Sequence, residues 1–348
     1  MAMLWFWLVS VMVAIYAVMD GFDFGAGVLH HAVARNDGER RQVLGAIGPW
    51  WDGNEVWLLA AGGSLFLAFP KVLAAGFSGY YMAMFMVVWT FILRGIAIEF
   101  RSHLADGLWR SFWDFVFTFA SVLLPVLLGA ALGNVVRGVP LDESGYFNIP
   151  LFTHFRAENP VGILDWYTVL MGLFVLLTVT NHGALFLAWK TDGPVHERAR
   201  RIALPLSLLT AVLGGLVTLA TAKVNPGIYA NLPHAPLAWV GLLVFLLGLV
   251  AVFWGQLRGR HLLAFIGSGA FILGLLAATA ACVFPVMLRS TLDPAWSLTA
   301  LNAKASDQGL RAGLAWWLLG FPIAVAYFFV LFRLHRGKVK AATNGDGY

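Results

Sequence analysis

The sequence predicts an all-α protein that crosses a membrane about nine times. Three observations lead to this fold class. Hydrophobic residues make up 60% of the 348 positions and charged residues only 12%, whereas a typical soluble domain has about 25% charged residues. The mean hydropathy is +0.78. The apolar runs are about 20 residues or longer and do not alternate, which excludes a β-barrel and leaves internally hydrogen-bonded helices.

The predicted spans form one transmembrane domain over residues 1–340, and the polar residues 341–348 are expected to fray. Spans 1 to 4 fall within residues 4–136 and spans 5 to 9 within residues 161–334. The first span has neither the basic start nor the cleavage site of a signal peptide, so we expect it to be retained. In chain order, the spans are Leu4–Leu29, Asp52–Ala75, Ser78–Phe100, Phe115–Val136, Val161–Trp189, Ile202–Ala222, Ala238–Gly255, Leu262–Leu288 and Ala312–Leu334.

The basic residues predict the orientation of these spans. Most of the 23 lysines and arginines lie in the loops that follow odd-numbered spans and in the C-terminal tail. The positive-inside rule then places the C-terminus in the cytoplasm and the N-terminus outside, in agreement with an odd number of spans. The basic residues behind the net charge of +5 are therefore interpreted as signals of membrane orientation, and no nucleic-acid partner is predicted. The one cysteine, Cys282, excludes an intrachain disulfide and a cysteine-built metal site.

Span 1 carries two acidic residues, which are expensive in lipid and persist mostly where they serve a function. Asp20 and Asp23 are one helical turn apart and share a face. Two close carboxylates in a low dielectric tend to share a proton, so the pair is predicted to form part of a proton path. The alternative is structural: one aspartate bonds a neighbouring helix and the other reaches the cytoplasmic interface.

The start of span 2 repeats this spacing with Asp52 and Glu55, beside Asn54, Trp51 and Trp57. Tryptophan favours the depth where headgroups meet hydrocarbon, so the segment is typical of an entrance at a membrane surface. Acidic residues at a helix N-terminus are also good caps. Capping accounts for Asp52, but it accounts less well for Glu55, one turn further in, and it does not require the amide of Asn54.

Span 3 contains a deeply placed basic residue, Arg94, five residues before Glu99. A lone arginine in a span needs a counter-ion, and Arg94 with Glu99 is predicted to form part of a buried charge pairing. A structural salt bridge and a functional pair both remain open. The candidate counter-ions on neighbouring helices are Asp20, Asp23, Asp52 and Glu55.

Span 5 has a histidine, His182, at its middle. A bis-histidine haem site needs a second buried axial ligand, and the other histidines lie at loops or span ends. A methionine could serve instead, but methionine is a common packing residue. A hydrogen-bonded core histidine is therefore the favoured interpretation, and no metal site is predicted in this chain.

Several motifs, in order and spacing, resemble subunit II of the cytochrome bd-type quinol oxidases. The resemblance covers nearly the whole chain, and the first hundred residues carry its most specific part. The motifs are Asp20-Gly-Phe-Asp-Phe-Gly, Arg35-Asn-Asp-x-Glu-Arg-Arg, Trp51-Asp-Gly-Asn-Glu-Val-Trp-Leu, Ala61-Gly-Gly-Ser-Leu-Phe and Phe77-Ser-Gly-Tyr-Tyr, followed by Gly133-Asn134, His182-Gly-Ala and Phe284-Pro285.

The resemblance implies a complex in the bacterial cytoplasmic (inner) membrane that oxidises quinol, reduces oxygen to water and takes protons from the cytoplasm. It implies two four-helix bundles plus one peripheral helix, paired with a homologous subunit I that carries haem b, haem d and the quinol site. This chain would bind no haem and catalyse nothing alone. It would stabilise subunit I and line a proton or oxygen path.

The resemblance also implies roles for particular residues. By motif match, Asp52 would be a proton-path aspartate, with Asp20 and Asp23 on the same route. Trp51, with Trp57, would lie near a structural quinone of the kind that some members hold. A small single-helix accessory subunit is a further partner that the resemblance allows, beside membrane lipid.

Two other functions stay open from the residues alone. Buried acidic residues, a buried arginine and glycine-broken helices would suit a proton-coupled secondary transporter that acts alone, although paired broken helices are not evident in matching halves. A purely structural scaffold would use its acidic residues for packing and caps. Co-purification distinguishes the oxidase subunit from the transporter, because an oxidase subunit brings a coloured haem-bearing partner and a transporter does not.

Overall fold

The computed structural model describes residues 1–340, so the expected fraying of residues 341–348 lies outside the described part of the chain. The described residues form α-helices and one small antiparallel sheet. The helices are α1 (Ala2–Val33), α2 (Asp37–Ile47), α3 (Trp51–Ala68), α4 (Pro70–Gly79), α5 (Tyr81–Phe100), α6 (Gly107–Arg137), α7 (Trp166–Lys190), α8 (Gly193–Val224), α9 (Gly227–Asn231), α10 (Pro236–Leu257), α11 (His261–Val283) and α12 (Asp307–Leu334), and the strands are β1 (Val286–Leu288) and β2 (Leu298–Thr299).

The long helices pack as two bundles and one outlying helix. Helices α1, α3, α5 and α6 form the first bundle, and α7, α8, α10 and α11 form the second, while α12 packs on α3 at the outside. Within residues 1–340, eight helices are long and apolar enough to cross a membrane, and the bent pair α3–α4 raises the number to nine. The predicted fold class is confirmed.

Helices α1 and α6 join the two bundles, because α1 also contacts α7 and α11 and α6 contacts α7. The closest approach lies where Gly25 of α1 meets Gly183 of α7. A Cβ atom built on Gly25 would overlap the carbonyl oxygen of Val179 and would lie 2.7 Å from the Cα atom of Gly183. Glycine at both positions therefore lets two backbones touch, as small residues commonly do between membrane helices.

Span 2 was predicted as one helix over Asp52–Ala75, and this prediction is wrong. The chain bends by 116° between α3 and α4. The physical reason is Pro70, whose ring disfavours helical dihedrals at the residue before it. Phe69 accordingly adopts φ −138° and ψ 59°, and the proline then begins α4 at a position where its missing N–H costs no hydrogen bond.

The boundaries of spans 3 and 8 also differ from the prediction. Helix α5 begins at Tyr81 rather than at Ser78, and α11 ends at Val283 rather than at Leu288. Pro285 has no N–H to continue the helical ladder, and the residues after it form β1, which pairs with β2. The loop after span 1 contains the unpredicted helix α2, whose N-cap Asn36 accepts a hydrogen bond from the backbone N–H of Glu39.

The two ends of the bundles differ in chemistry. The end where α1, α5, α7 and α12 finish and where α2 lies carries most of the basic residues, and we call it the basic end. The opposite end carries the segments 138–165 and 284–306, and we call it the loop end. The assignment of the basic end to the cytoplasm stays a prediction.

A buried network fixes the segment 138–165 at the loop end. The guanidinium of Arg137 donates to the carboxylate of Asp165, to the carbonyl of Gly162 at 3.0 Å and to Asn134 Oδ1 at 2.6 Å. Asn134 in turn donates to the carbonyl of Ile163 at 2.9 Å. Asp165 also caps α7, since its side chain accepts from the backbone N–H groups of Tyr167 and Thr168. One arginine therefore ties the end of α6 to the start of α7.

Replacing Arg137 with leucine is expected to lower the thermal stability of the assembled protein clearly, since it leaves the buried carboxylate of Asp165 without its charge partner. Breaking a buried ion pair from one side costs about 3–5 kcal/mol. The matched control is Arg156→Leu, because the Arg156 side chain is 74% exposed and reaches Glu158 only at 3.5 Å. Thermal inactivation of both variants in detergent measures the difference, and equal midpoints would contradict the expected role of Arg137.

Candidate functional site

Three helices of the first bundle bring charged side chains together around Arg94 of α5. The Arg94 guanidinium is fully buried. Its Nη2 atom lies 3.1 Å from Asp20 Oδ1 and 3.9 Å from Asp23 Oδ2, both on α1. Its Nη1 atom donates to Glu55 Oε1 of α3 at 2.9 Å. Asp20, Asp23 and Glu55 are thus three of the four counter-ions that the sequence offered, and we call these residues with Arg94 the carboxylate cluster.

Two neutral side chains complete the surroundings of the carboxylate cluster. Asn54 is fully buried, and its amide donates to Asp23 Oδ2 at 2.7 Å and to the carbonyl of Met19 at 2.9 Å. The ring of Phe24 lies under the guanidinium of Arg94, 4.5 Å from its Cζ atom. Asn54 is therefore a core polar residue, and its amide holds one of the carboxylates in place.

The carboxylate cluster opens at Glu55. The side chains of Asp20, Asp23 and Arg94 are 0% exposed, whereas that of Glu55 is 26% exposed. Glu55 also lines a cavity of about 810 Å³ between α3 and α5. Its walls are almost entirely apolar, and its few polar residues include Tyr80 and Asn134. Glu55 is therefore the residue at which the buried carboxylate cluster borders the large apolar cavity.

Asp52 and Glu99 lie apart from this cluster. Asp52 is exposed on α3, one turn before Glu55. Glu99 is exposed at the end of α5, so its predicted place beside Arg94 is corrected. The reason is helical geometry, because five residues rotate an α-helix by about 140° and bring a side chain to the opposite face.

The two tryptophans that are predicted to lie near a quinone, Trp51 and Trp57, pack outside the large cavity. The Trp57 ring stacks on Phe328 of α12, with a centroid distance of 5.6 Å. The Trp51 ring lies beside Gly95, where a built Cβ atom would be 3.5 Å from Cζ3. Neither side chain is among those that line the large cavity. A quinone contact of these residues stays a prediction.

His182 is held on both sides of its ring. Its Nδ1 atom lies 2.6 Å from Ser268 Oγ, and its Nε2 atom lies 3.1 Å from the carbonyl of Val18. The ring is fully buried and stacks on Phe265 at 4.9 Å. Both ring nitrogens of His182 that could bind iron are thus engaged, so His182 does not fit the role of a haem ligand. No group of three or more metal-ligating side chains occurs within residues 1–340.

Sequence reasoning missed a second buried cluster, at the basic end. Asp114 directly precedes predicted span 4, but α6 begins earlier, at Gly107, and Asp114 is completely buried within it. Its carboxylate accepts from Arg101 at 2.5 Å and from Arg40 at 3.0 Å, and it lies 2.7 Å from His30 Nε2. The signal available in the sequence was an acidic residue inside a long helix, with a basic loop before it.

Comparison with known proteins agrees with this architecture. Residues 1–335 match the family model described as cytochrome bd terminal oxidase subunit II. The chain belongs to the cytochrome bd oxidase subunit II family. The resemblance seen in the sequence motifs is thereby confirmed over nearly the whole chain.

Individual relatives give the same result. The chain is 31% identical over 352 residues to cytochrome bd-I ubiquinol oxidase subunit 2 of Escherichia coli strain K12, covering 93% of this chain and 91% of that protein. It is 32% identical over 309 residues to cytochrome bd ubiquinol oxidase subunit 2 of Bacillus subtilis, covering 88% of each. These relatives are subunits of respiratory quinol oxidases.

A solved structure supports the fold. The bd oxidase of Geobacillus thermodenitrificans contains a chain that is similar with a TM-score of 0.77 and 19% sequence identity. The match covers 96% of this chain and 98% of that chain. The match shows that a chain of a bd oxidase has this helical arrangement at low sequence identity, which leaves the roles of individual residues to be argued from their contacts.

Proposed function

We propose that this chain is the subunit II of a quinol oxidase in a bacterial cytoplasmic membrane, where it pairs with a haem-bearing subunit I. The chain stabilises that partner and carries protons toward the site of oxygen reduction. Haem b and haem d belong to the partner, since His182 has no ring nitrogen left for iron. The observation that carries the proton role is Arg94, which is buried among three carboxyl groups, one of them partly exposed.

Charge balance supports proton storage in the carboxylate cluster. One arginine offsets one carboxylate, and a second or third buried carboxylate would be unbalanced in a low dielectric. Neighbouring carboxyl groups in that situation share protons and titrate as a unit. Asp20 and Asp23 can therefore hold protons while Arg94 and Glu55 keep a charge pair. The set can accept and release protons without a metal or a large movement.

The positions of Glu55 and Asp52 connect the carboxylate cluster to the surface of the chain. Asp52 is three residues before Glu55, on a neighbouring part of the same helix face, and it is exposed at the surface of α3. A proton that reaches Glu55 from Asp20 or Asp23 thus has a second carboxyl group between it and the surface. Asp52 lies in the first turn of α3, at the basic end, and we infer that protons pass between the carboxylate cluster and the surface there.

The large cavity suits a small apolar molecule. Its volume of about 810 Å³ and its apolar walls would favour dissolved oxygen over water, because apolar surface gains by leaving water. We infer that it supplies oxygen from the lipid phase. A structural quinone is the alternative occupant, and solvent extraction of the purified complex followed by quinone analysis distinguishes the two.

Replacing Asp52 with asparagine, or Glu55 with glutamine, is expected to slow quinol-driven oxygen consumption about tenfold without loss of assembly. The reason is that an amide keeps the shape but cannot carry a proton, and positioned acid–base groups typically contribute about 10²–10⁴-fold. The matched control is Glu99→Gln, the same change at an exposed acid on α5. Unchanged turnover in assembled Asp52→Asn and Glu55→Gln complexes would contradict the proton role.

Affinity purification of the tagged chain from its native membrane tests the oxidase assignment itself. A reduced-minus-oxidised spectrum with haem b and haem d bands, together with a second large subunit, is the expected result. A colourless single polypeptide would favour the secondary transporter instead. The structure offers that alternative little support, because only one bent helix pair, α3–α4, occurs within residues 1–340, and transporters of that type break helices in both halves.

A further inference from the structure

One face of α1 carries polar or small residues from the carboxylate cluster to the basic end. Asp20, Asp23, Gly27 and His30 follow one another at intervals of three, four and three residues, which keeps them on a single helix face. All four are buried. A buried stripe of this kind inside an apolar protein is expensive, and the carboxylate cluster accounts for only its first two residues.

Helix α6 faces this stripe. Its Asp114 meets His30, with 2.7 Å between the Asp114 Oδ1 and His30 Nε2 atoms. Two turns further along, Ser121 meets Gly27 so closely that a Cβ atom on Gly27 would overlap the Ser121 hydroxyl oxygen. The Ser121 hydroxyl therefore lies at the level of Gly27, between His30 and Asp23, on the seam where α1 packs against α6.

Three buried polar atoms along this seam have no hydrogen-bond partner within the described residues: His30 Nδ1, Ser121 Oγ and Asp23 Oδ1. Buried polar atoms in proteins are almost always bonded to protein or to ordered water. Along α1, Gly27 is about 6 Å from the level of Asp23 and about 4.5 Å from that of His30. Two hydrogen bonds of about 2.8 Å cover about 5.6 Å, so each interval is of the length that a single bridging water would span.

The outer end of the seam reaches the protein surface at the basic end. Asp114 also accepts from Arg101 and from Arg40, and the Arg40 side chain is 25% exposed. Arg101 in turn donates to Asp37, which is 41% exposed. The charged and titratable groups around the His30 ring are thus Asp114 of α6, Arg40 of α2, Arg101 at the end of α5, and the adjacent exposed His31, whose ring is 5.4 Å away.

We propose that the His30–Asp114 pair takes up protons at the basic end and that the Ser121 hydroxyl passes them to Asp23. In each transfer, the Asp114 carboxyl group gives a proton to His30 Nε2 and regains one from the basic end, while His30 Nδ1 releases a proton toward Ser121. The ring then returns to its starting tautomer. The hydroxyl accepts that proton and gives its own toward Asp23, so neither group keeps a net charge. This step deepens the proposed function and rests on it, because Asp23 must itself carry protons.

A purely structural seam is the rival explanation, in which His30 and Asp114 only lock α1 to α6. Ser121→Ala separates the two, since it removes the hydroxyl and leaves the His30–Asp114 contact in place. Its matched control is Ser10→Ala, the same change on α1 near the loop end, where the hydroxyl donates to the Phe6 carbonyl at 2.8 Å. His30→Gln keeps a hydrogen-bonding group opposite Asp114 but cannot exchange protons.

The experiment uses the whole oxidase purified with subunit I, with its haem spectrum as the measure of assembly. We expect normal spectra for Ser121→Ala and Ser10→Ala. Ser121→Ala should slow quinol-driven oxygen consumption about threefold or more and raise the ratio of turnover in H2O to that in D2O, whereas Ser10→Ala should change neither. His30→Gln should slow turnover about tenfold and alter its dependence on pH, because positioned acid–base groups contribute on this scale or more.

Unchanged turnover and an unchanged isotope ratio in assembled Ser121→Ala would overturn the proposal, even if His30→Gln fails to assemble. Asp23→Asn, measured in parallel, shows which inference has failed. Slow turnover in Asp23→Asn with normal turnover in Ser121→Ala means that protons reach Asp23 by another route. Normal turnover in both, and in Glu55→Gln as well, means that the carboxylate cluster carries no protons and that the proposed proton role is wrong.

Discussion

Replacing Arg94 with leucine is expected to abolish most of the assembled complex. The change leaves Asp20, Asp23 and Glu55 around a buried site with no positive charge. Stranding one buried charge costs about 3–5 kcal/mol, which is a large part of the 5–15 kcal/mol by which proteins are typically stable. Yield of haem-bearing complex per milligram of membrane protein is the measurement.

The control for Arg94→Leu is Arg311→Leu, because Arg311 is exposed at the start of α12. Arg94→Lys adds a graded test, since an ammonium lacks the planar fork with which the guanidinium reaches Glu55 and Asp20 at once. We expect the lysine variant to give an intermediate yield. A normal yield of Arg94→Leu would mean that the carboxyl groups are stable without the arginine, and the charge-balance argument for the carboxylate cluster would fail.

Replacing Gly25 with alanine is expected to prevent the two bundles from packing. The added Cβ atom would overlap the Val179 carbonyl oxygen and approach the Gly183 backbone, and backbone atoms in a helix cannot turn aside as a flexible side chain can. Helices α1 and α7 would have to separate along their contact. The expected result is loss of the purified complex, measured by its yield and by size-exclusion chromatography.

Gly215→Ala is the matched control for Gly25→Ala. Gly215 lies within α8, and a Cβ atom there would meet no atom within 4 Å. Alanine in an open helical position is favoured over glycine by about 1 kcal/mol, so this variant should be as stable as the unmodified chain or more so. Equal yields of the two variants would show that the α1–α7 contact adjusts more freely than its geometry implies.

Local sequence patterns were sufficient to predict most membrane helices. Hydropathy over about 20 residues is a property of the segment alone, because each apolar run must leave water wherever it packs. Span 2 was the exception, and its break at Phe69–Pro70 shows why. Pro70 lies within an apolar run that the proline does not interrupt in composition, so hydropathy predicts a single helix. The backbone restriction at the proline instead bends the chain between α3 and α4.

The candidate residues divide in the same way. Asp20, Asp23, Glu55 and Arg94 stood out because charged residues are rare in spans, and no packing information was needed to select them. Asp114 was overlooked, since an acidic residue near a predicted helix start is ordinarily solvated. Its burial depends on α2 and on the end of α5, which close over it. Neither contact can be predicted from the residues next to Asp114 in the sequence.

The sequence by itself determined the class of the protein, the number of its spans and the residues most expensive to bury. Those properties follow from the free energy of moving side chains out of water, which depends on the composition of each segment and not on its neighbours in the fold. Tertiary structure decided which carboxyl groups surround Arg94, that Glu99 faces away from it, and that Gly27 and Ser121 touch. Such contacts depend on the rotation and crossing of whole helices, so they are fixed only when all the helices pack together.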